Sequence, residues 1–415
     1  MARIYLLTLS FLLLLPFFIA QDAEAQSTRY ELLPSPDLWY NDVDGIRVGL
    51  RLKGQVPGTF EDGPHRLDAG VWLGLWFPKV PVSYYMSFTE PIQSWSEYGS
   101  EASIQFISSI RTGYHNHGVG FSKRWQQGFD ERRYREAEIY NSFEKRFDHE
   151  YTPFPLLWSD QDKFLTSASF EIQDDHSLGW YTIRADASMQ YLEEAFSLAA
   201  ITAHQRTDLH EFWGIRLRVF AGISSSNTTP EYLFSRSIRP AAQWMGNGFT
   251  RAKGTIPTSW MHSGNIQVAG GANVRGYTNR DIDSFKPCQN GEADGGCSTE
   301  PFLFNNVLAL NAEFDYWNPV AVAFNKIPYI SEFLSFRSYL FFDTGTSFET
   351  TVNDTSTSFS NAGAGFSLSL NIPDYHGKPR GFVLRYEIPF WLSDPGDEDS
   401  FKLRHLMGFG AVISF

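Results

Sequence analysis

The chain has 415 residues, of which 42% are hydrophobic and 16% aromatic, and its formal net charge is -13. The acidic balance argues against nucleic-acid binding, and the lack of any long apolar stretch beyond the N-terminus excludes a helical membrane protein. A secreted soluble protein and an outer-membrane β-barrel, whose alternating strands give no hydropathy peak, both remain open.

The N-terminal 25 residues are expected to be a secretory signal peptide. Arg3 precedes an apolar run from Tyr5 to Ala20, and Ala23-Glu24-Ala25 fits the small-x-small cleavage rule, so the mature chain would start at Gln26. A short membrane anchor is the alternative, but the run is too short to span a bilayer comfortably. No cysteine follows it that could carry a lipid.

Apolar and polar residues alternate along most of the remaining chain, which predicts β-strands. In the segment from Gly45 to Gly54, one face carries Ile46, Val48, Leu50 and Leu52, and the other carries Arg47, Gly49, Arg51 and Lys53. A soluble sandwich would also alternate. Apolar residues outside and charged residues inside are typical of a barrel in lipid, which must close because lipid satisfies no backbone group.

We expect residues 26–41 to be a short polar lead-in on the periplasmic side and residues 42–415 to be one transmembrane antiparallel β-barrel. The candidate strands lie near 45–54, 66–77, 80–89, 101–111, 113–124, 137–149, 164–173, 178–191, 194–207, 211–222, 231–245, 302–316, 334–346, 360–371, 380–390 and 402–415. They total about sixteen, an even number, as two periplasmic ends require. The segment 126–151 would also suit a helix, and we interpret it as an outer loop plus a strand.

The motif GANVRGY, residues 271–277, resembles the V-R-G-F/Y signature of the outer-membrane assembly and translocation superfamily. That superfamily of bacterial surface antigen barrels includes BamA, TamA and FhaC. The resemblance continues in order to Phe415, through NNVLALNAEFDYWNPV, FRSYLFFDTGTSF, NAGAGFSLSL, RGFVLRYEIPF and HLMGFGAVISF. Residues before Gly270 match only in periodicity.

The resemblance implies a signature loop that folds back into the barrel lumen, where Arg275 pairs with Asp343. Period-two alternation turns Asp343 inward, and a glycine at 276 would let the loop approach the wall, since glycine tolerates backbone angles that other residues avoid. A solvated turn around Arg275 is the alternative. The motif and its partner strand comprise Val274, Arg275, Gly276, Tyr277, Phe341, Asp343 and Gly345.

Cys288 and Cys297, the only cysteines, lie close together in CQNGEADGGC. Two close cysteines in a secreted chain predict a disulfide, which would stabilise the fold by roughly 2–3 kcal/mol on the chain-entropy model. A metal site would need more ligands, and this segment holds no histidine. We expect neither a metal nor a cofactor.

Signals for catalysis are weak, and we do not expect an enzyme. His115 and His117 share a strand face, but the spacing places no third metal ligand. The segments Asp174-Asp175-His176 and Met261-His262-Ser263-Gly264 hold no recognisable nucleophile arrangement. The chain has no H-E-x-x-H, phosphate-binding loop or G-x-S-x-G motif.

The resemblance implies assistance to the insertion or translocation of proteins, or of lipids, in the outer membrane of a Gram-negative bacterium. The route would be a weakened seam between the first strand, near 45–54, and the last, near 402–415. Gly408 and Gly410 would weaken the last strand, although packing beneath the loop explains them equally well. The terminal Phe415 resembles the recognition signal of outer-membrane barrels. Partners would be outer-membrane lipids, unfolded client proteins and other membrane subunits.

The short N-terminal segment departs from the family pattern. About 20 residues separate the cleavage site from the first predicted strand, too few for one of the periplasmic POTRA domains that family members carry before the barrel. Delivery of clients by such domains is therefore in doubt. A porin-like channel or a passive scaffold for an outer-membrane complex is the alternative function, and an outer-membrane hydrolase is the third.

Overall fold

The computed structural model describes residues 30–41, 45–56, 65–76, 81–97, 99–111, 113–128, 130, 132–147, 154–210, 212–245, 258–287, 301–325, 327, 333–348, 357–373 and 379–413. The expected signal peptide lies outside the described residues. So do both cysteines and the terminal Phe415, and the disulfide between Cys288 and Cys297 therefore stays a prediction.

A single sheet of seventeen strands organises the described residues. The strands are β1 (Glu31–Asn41), β2 (Gly45–Gln55), β3 (Arg66–Gly74), β4 (Val82–Pro91), β5 (Ala102–Arg111), β6 (Tyr114–Gln126), β7 (Tyr134–Arg146), β8 (Lys163–His176), β9 (Gly179–Gln190), β10 (Phe196–His210), β11 (Trp213–Ser224), β12 (Ile266–Gln267), β13 (Asn306–Asp315), β14 (Leu334–Ser347), β15 (Thr357–Pro373), β16 (Pro379–Leu392) and β17 (Leu406–Ile413). Sequential strands pair antiparallel, but β11 pairs directly with β13, and β12 pairs in parallel with β17. The fold is all-β, as predicted.

Short helices occupy the connections. They are α1 (Thr258–His262), α2 (Thr278–Ser284) and α3 (Pro319–Asn325), with 3₁₀ turns at Gln93–Trp95, Pro155–Leu157, Pro230–Tyr232, Ala241–Met245 and Arg275–Tyr277. In the described part of the chain, every helix is too short or too polar to cross a membrane.

The wall strands turn apolar side chains outward and polar ones inward. On β2, Ile46, Val48 and Leu50 are 40–52% exposed, whereas Arg47 between them is only 8% exposed. On β14 the exposed Leu340 alternates with buried neighbours in the same way. The two faces predicted from the period-two pattern are confirmed on these strands, and the large exposed apolar face suits contact with lipid.

The first strand begins earlier than the sequence predicts. Residues 31–41 were expected to belong to a lead-in, but they form β1 and pair with β2 along their whole length. Pro34 and Pro36 argue against a strand in the sequence, because proline has no backbone N–H to donate to a β-ladder and is disfavoured in a central strand. The structure makes β1 an edge strand instead, where the missing donors can face away from β2.

The strand predicted near 231–245 is also wrong. These residues form the 3₁₀ turns Pro230–Tyr232 and Ala241–Met245, joined by a segment in which Phe234 makes one isolated bridge to Phe304. The ambiguous segment 126–151 contains β7 and no helix among its described residues. The gain of β1 and the loss of the strand near 231–245 offset each other, and the unpredicted two-residue β12 brings the described strands to seventeen.

The first and last strands are not joined to each other. Among the described residues, β1 pairs with β2, and β17 pairs with β16 and β12, but no backbone pairing connects β1 with β17. The ladder that would close a barrel between its first and last strands is therefore not among the pairings of the described residues.

We predict that arginine is tolerated on the inner face of β10 and not on its outer face. Ile201 is 54% exposed on the outer face, and the adjacent Thr202 pairs across the sheet with Arg184 on the inner face. Ile201→Arg should destabilise the protein by about 2–4 kcal/mol in lipid vesicles, whereas Thr202→Arg should cost about 1 kcal/mol or less. Equal losses in urea unfolding would contradict the assigned orientation.

Candidate functional site

The buried guanidinium of Arg275 is the centre of the site. Arg275 is 2% exposed, and Asp343 on β14 is completely buried. The Arg275 Nε donates to Asp343 Oδ2 at 2.8 Å and Nη2 donates to Oδ1 at 2.7 Å, which is a bidentate pair. The backbone N–H of Arg275 and the side chain of Asn361 on β15 also donate to Asp343, at 3.2 and 3.1 Å. The structure therefore brings together the two side chains that the motif resemblance pairs.

Arg275 also reaches two acids that the sequence did not single out. Its Nη1 donates to Glu313 on β13 at 2.8 Å and to Glu387 on β16 at 2.7 Å. Burial opposes the charge on Arg275, but Asp343 and Glu387 outweigh that effect and hold its pKa well above the ordinary value. One loop residue therefore binds three wall strands, β13, β14 and β16, and Asn361 of β15 joins the cluster through Asp343.

The acids around Arg275 belong to a longer chain of alternating charges. Glu313 accepts hydrogen bonds from Arg385 and Arg337, and Arg385 also forms an ion pair with Glu387 at 2.8 Å. The complete series runs through Asp343, Arg275, Glu387, Arg385, Glu313, Arg337, Asp315 and Arg216. Four acids alternate with four arginines, so each buried charge has an opposite neighbour, as burial in a low dielectric requires.

The loop requires glycine at position 276 because a side chain there would not fit against the wall. A Cβ atom on Gly276 would lie 2.4 Å from Leu392 Cδ2 and 2.9 Å from Asn361 Cβ, so a larger residue would push the loop off the wall. The predicted close approach is therefore present, but its reason is the missing side chain. The left-handed backbone occurs just upstream, at Gly271 (φ +58°) and Asn273 (φ +55°), and it turns the chain into the motif.

The other motif residues pack the loop against the wall. Val274 and Tyr277 are fully buried in an apolar cluster with Phe359 of β15 and Phe304. The Tyr277 hydroxyl accepts from the backbone N–H of Asp394 at 3.1 Å. Tyr277 therefore connects the signature loop to the loop between β16 and β17.

Phe341 and Gly345, which lie on either side of Asp343 on β14, also take part in this packing. Phe341 lies under Arg275, whose guanidinium carbon is 3.9 Å from the ring centroid, a cation–π contact. A Cβ on Gly345 would lie 2.6 Å from the ring of Phe359, so glycine leaves the room that this ring occupies. The F-x-D-x-G pattern thus provides a ring, an acid and a gap on one inward face.

Two further buried ion pairs hold the connection between β11 and β13, residues 225–305, which we call the lumen loop. Sequence reasoning missed both pairs. Arg236 Nε donates to Asp281 at 2.7 Å, and Asp281 also accepts from the backbone and hydroxyl of Ser237. Lys163 on β8 lies 2.6 Å from Glu231. The sequence contains Asp281 in the RDID segment after the motif. It gives no sign of the partner, Arg236, which lies 45 residues upstream.

Two of the three predicted seam residues, Gly408 and Gly410, lie on β17, and a loop segment adjoins Gly408. Ile266 and Gln267 of β12 are in register with Met407 and Gly408, and the Met407 N–H donates to Asn265 O at 2.7 Å. A Cβ on Gly408 would lie 3.8 Å from Gln267 Cβ, an ordinary contact. The interpretation of Gly408 as packing beneath the loop is thus consistent with the geometry. Gly410 pairs with Val383 of β16.

A polar chain crosses the outward face near the β5–β6 turn. The Tyr84 hydroxyl lies 2.9 Å from Ser108 Oγ, and Ser108 Oγ lies 2.9 Å from His117 Nδ1. His115 stacks on His117 with ring centroids 5.2 Å apart. No carboxylate among the described residues completes a nucleophile triad with this pair, and no three potential ligands converge there. These contacts satisfy polar groups on an apolar surface.

Comparison with known proteins yields structural likeness only. No family model and no curated protein sequence matches the chain. BamA from Haemophilus ducreyi lacking POTRA domains 1–3 is similar with 12% identity and a TM-score of 0.46, over 92% of this chain and 70% of that one. CdiB from Escherichia coli has 11% identity and a TM-score of 0.46, over 94% and 64%. A bacterial polysaccharide outer membrane secretin has 10% identity and a TM-score of 0.37, over 92% and 96%.

We predict that the charge on Arg275 stabilises the fold far more than that on Arg280 in the same loop. Arg275→Ala removes the ion-pair partner of the fully buried Asp343 and one of the partners of Glu313 and Glu387, and should cost about 3–5 kcal/mol. Arg280→Ala removes a partly exposed arginine, 3.5 Å from Asp394, and should cost less than about 1 kcal/mol.

Arg275→Lys tests the shape of the group at constant charge. Lysine cannot form the bidentate fork, so about half of the alanine loss or more should remain. Urea unfolding in lipid vesicles measures all three variants. An Arg275→Ala protein as stable as the Arg280→Ala control would contradict the central role of this cluster.

Proposed function

We propose that this chain is a barrel of the outer membrane of a Gram-negative bacterium that assists the insertion or translocation of proteins, or of lipids. The route is a lateral seam between β1 and β17. The observation that carries the proposal is the lack of a ladder between these two strands in the described part of the chain. β1 replaces the segment near 45–54 as the first seam strand.

The exposed apolar face supports a membrane location. Ile139, Ile201 and Leu340 are each 49–54% exposed near the middles of their strands, which would be unfavourable in water and suits acyl chains. Outer-membrane lipids are therefore the first partner. With sixteen long antiparallel strands, both ends of the wall lie at one rim, which we assign to the periplasm.

The seam supplies a physical mechanism for assistance. An open sheet edge presents unpaired N–H and C=O groups, which are costly in lipid and are satisfied when an extended segment pairs with them. An incoming unfolded client strand would gain a template on the β17 edge while its apolar side chains face the acyl chains. The rigid lumen loop keeps the rest of the wall in place because Arg275 binds β13, β14 and β16.

A porin-like channel or a passive scaffold for other membrane subunits is the second candidate. One observation favours a channel. A polar cavity of about 390 Å³ opens inside the rim assigned to the periplasm, and it is lined by Arg132, Gln173, Asp175, Trp180, Arg206 and Asp208. Water and small ions could enter there, but residues of the loop between β11 and β13 form two buried apolar clusters.

Depletion of the protein tests the assistance function. We expect lower levels of several outer-membrane proteins in a quantitative census of the membrane fraction, because their last insertion step would slow. In depleted cells, expression of the Arg280→Ala variant should restore the levels of these outer-membrane proteins, and expression of the Arg275→Ala variant should not. A census that depletion leaves unchanged would refute the proposal and favour the scaffold.

Single-channel conductance separates the channel from the seam. If the loop closes the lumen, the unaltered protein in planar bilayers should show little steady conductance. Arg275→Ala should then raise the open probability, since the loop loses its attachment to three wall strands. A stable open pore that Arg275→Ala leaves unchanged would support the porin-like alternative.

A further inference from the structure

The edge of β17 that faces the seam is already occupied by the chain itself. β16 pairs with one edge of β17 over eight residues, Leu406 to Ile413. The opposite edge pairs in parallel with Ile266 and Gln267, and the Met407 N–H donates to Asn265 O at 2.7 Å. Residues 265–267, which we name the edge segment, therefore stand where a neighbouring wall strand would stand.

The edge segment is held from the lumen side. Gln267 Nε2 donates to the backbone oxygen of Ser237 at 3.0 Å and to Asn273 Oδ1 at 2.8 Å. Its Oε1 accepts from Thr278 Oγ1 at 2.9 Å. Ile266 is 7% exposed and Gln267 is 6% exposed. This side chain is thus part of a buried polar network and cannot move without breaking it.

The same network reaches the Arg275 cluster. Thr278 Oγ1 lies 2.9 Å from Gln267 Oε1 and also 2.9 Å from the backbone oxygen of Arg275. The attachment of the edge segment to β17 and the attachment of the loop to Asp343 therefore share one hydroxyl. Movement at either end of this connection affects the other.

β1 is poorly suited to replace the edge segment. Pro34 and Pro36 lie two residues apart, so their missing N–H groups would point to the same side of the strand. β1 keeps its full register with β2. With the two proline nitrogens turned away from β2, a ladder between β1 and β17 would lack two of its hydrogen bonds.

We propose that the β17 edge is a strand-docking surface whose resting occupant is the edge segment, and that an extended segment of a partner polypeptide displaces it. The inference rests on the proposed seam function and adds its regulation. The β12 pairing involves Met407 and Gly408, whereas a partner strand in register with β17 could follow all eight of its residues.

The partner segment has a defined chemistry. Met407 and Phe409 of β17 are 40% and 37% exposed on the outer face, so the partner's outward side chains must be apolar. Between them, Gly408 lies beneath Gln267 on the inner face, which leaves room for small or polar side chains there. An alternating apolar and small or polar segment of an unfolded outer-membrane protein meets both conditions.

A disulfide between Gln267→Cys and Gly408→Cys tests the resting occupant. The Cβ separation of 3.8 Å lies within the disulfide range of about 3.5–4.5 Å. In a background with Cys288→Ser and Cys297→Ser, we expect nearly complete cross-linking in the folded protein, with each single variant as control. Absence of the cross-link in folded protein would overturn the proposed occupancy.

Peptide capture by the same double variant tests docking. The probe is a photoreactive peptide with the sequence of residues 403–413, and a scrambled peptide is the control. The reduced protein should capture the probe at least about tenfold more than the oxidised protein, because only an open edge can pair. Equal capture in both states, or no capture above the scrambled control in the reduced state, would overturn docking. The census of outer-membrane proteins after depletion tests the proposed function independently of this docking experiment.

Amide hydrogen exchange gives the same test without cysteines. In the unaltered protein the Met407 amide should be protected, because Asn265 O accepts from it. Gln267→Ala removes the network that holds the edge segment and should accelerate exchange at Met407 by at least about tenfold. The amide of Phe342 on β14 serves as the internal reference. Equal rates at Met407 in the two proteins would overturn the proposal.

Discussion

The buried guanidinium of Arg275 is the constraint on which the rest of the lumen depends. A charge that is 2% exposed must be neutralised and hydrogen-bonded, and here it receives both from Asp343, Glu313 and Glu387. Those acids lie on three different strands, so the arginine can be satisfied only when the wall has its final curvature. The loop and the wall therefore specify each other's position. Gly276 contributes by allowing the backbone of the loop to approach Leu392 closely.

The proposed seam depends on the same constraint. Because Thr278 and Gln267 continue the motif's hydrogen bonds, the position of Arg275 also determines where the edge segment meets β17. Lipid satisfies no backbone group, so an open strand edge in a membrane is unfavourable unless something pairs with it. The short parallel pairing of β12 meets part of that need. It is shorter than a full ladder, as the proposed docking of another strand on this edge requires.

Much of the wall could be predicted from the sequence, because period-two alternation assigns each side chain to a face. It placed Ile46 outside and Arg47 inside, and it turned Asp343 toward the lumen. Motif resemblance predicts the pairing of Arg275 with Asp343. It does not predict the contacts of Arg275 with Glu313 and Glu387, because alternation predicts which way a side chain points but not which residue it contacts. β1 was missed because Pro34 and Pro36 suit only an edge strand. The apolar residues of segment 231–245, such as Leu233 and Trp244, are typical of a strand in the sequence, but a loop that packs inside a lumen also needs apolar residues of its own.

The two proposed functions differ in what the Arg275 cluster must do. In a channel or a scaffold, four arginines and four acids serve only to hold the loop, and apolar packing of the same volume would hold it as well or better, since buried ion pairs gain little net stability. A bistable seam has a different requirement. Its loop must keep one exact register against β17 and must release two hydrogen-bonded residues without losing its place in the lumen. Directional, fully paired charges meet that requirement, because they fix orientation at Asp343 while the weaker pairing at Met407 remains exchangeable. The division of strong contacts at the wall and weak contacts at the edge therefore favours the seam.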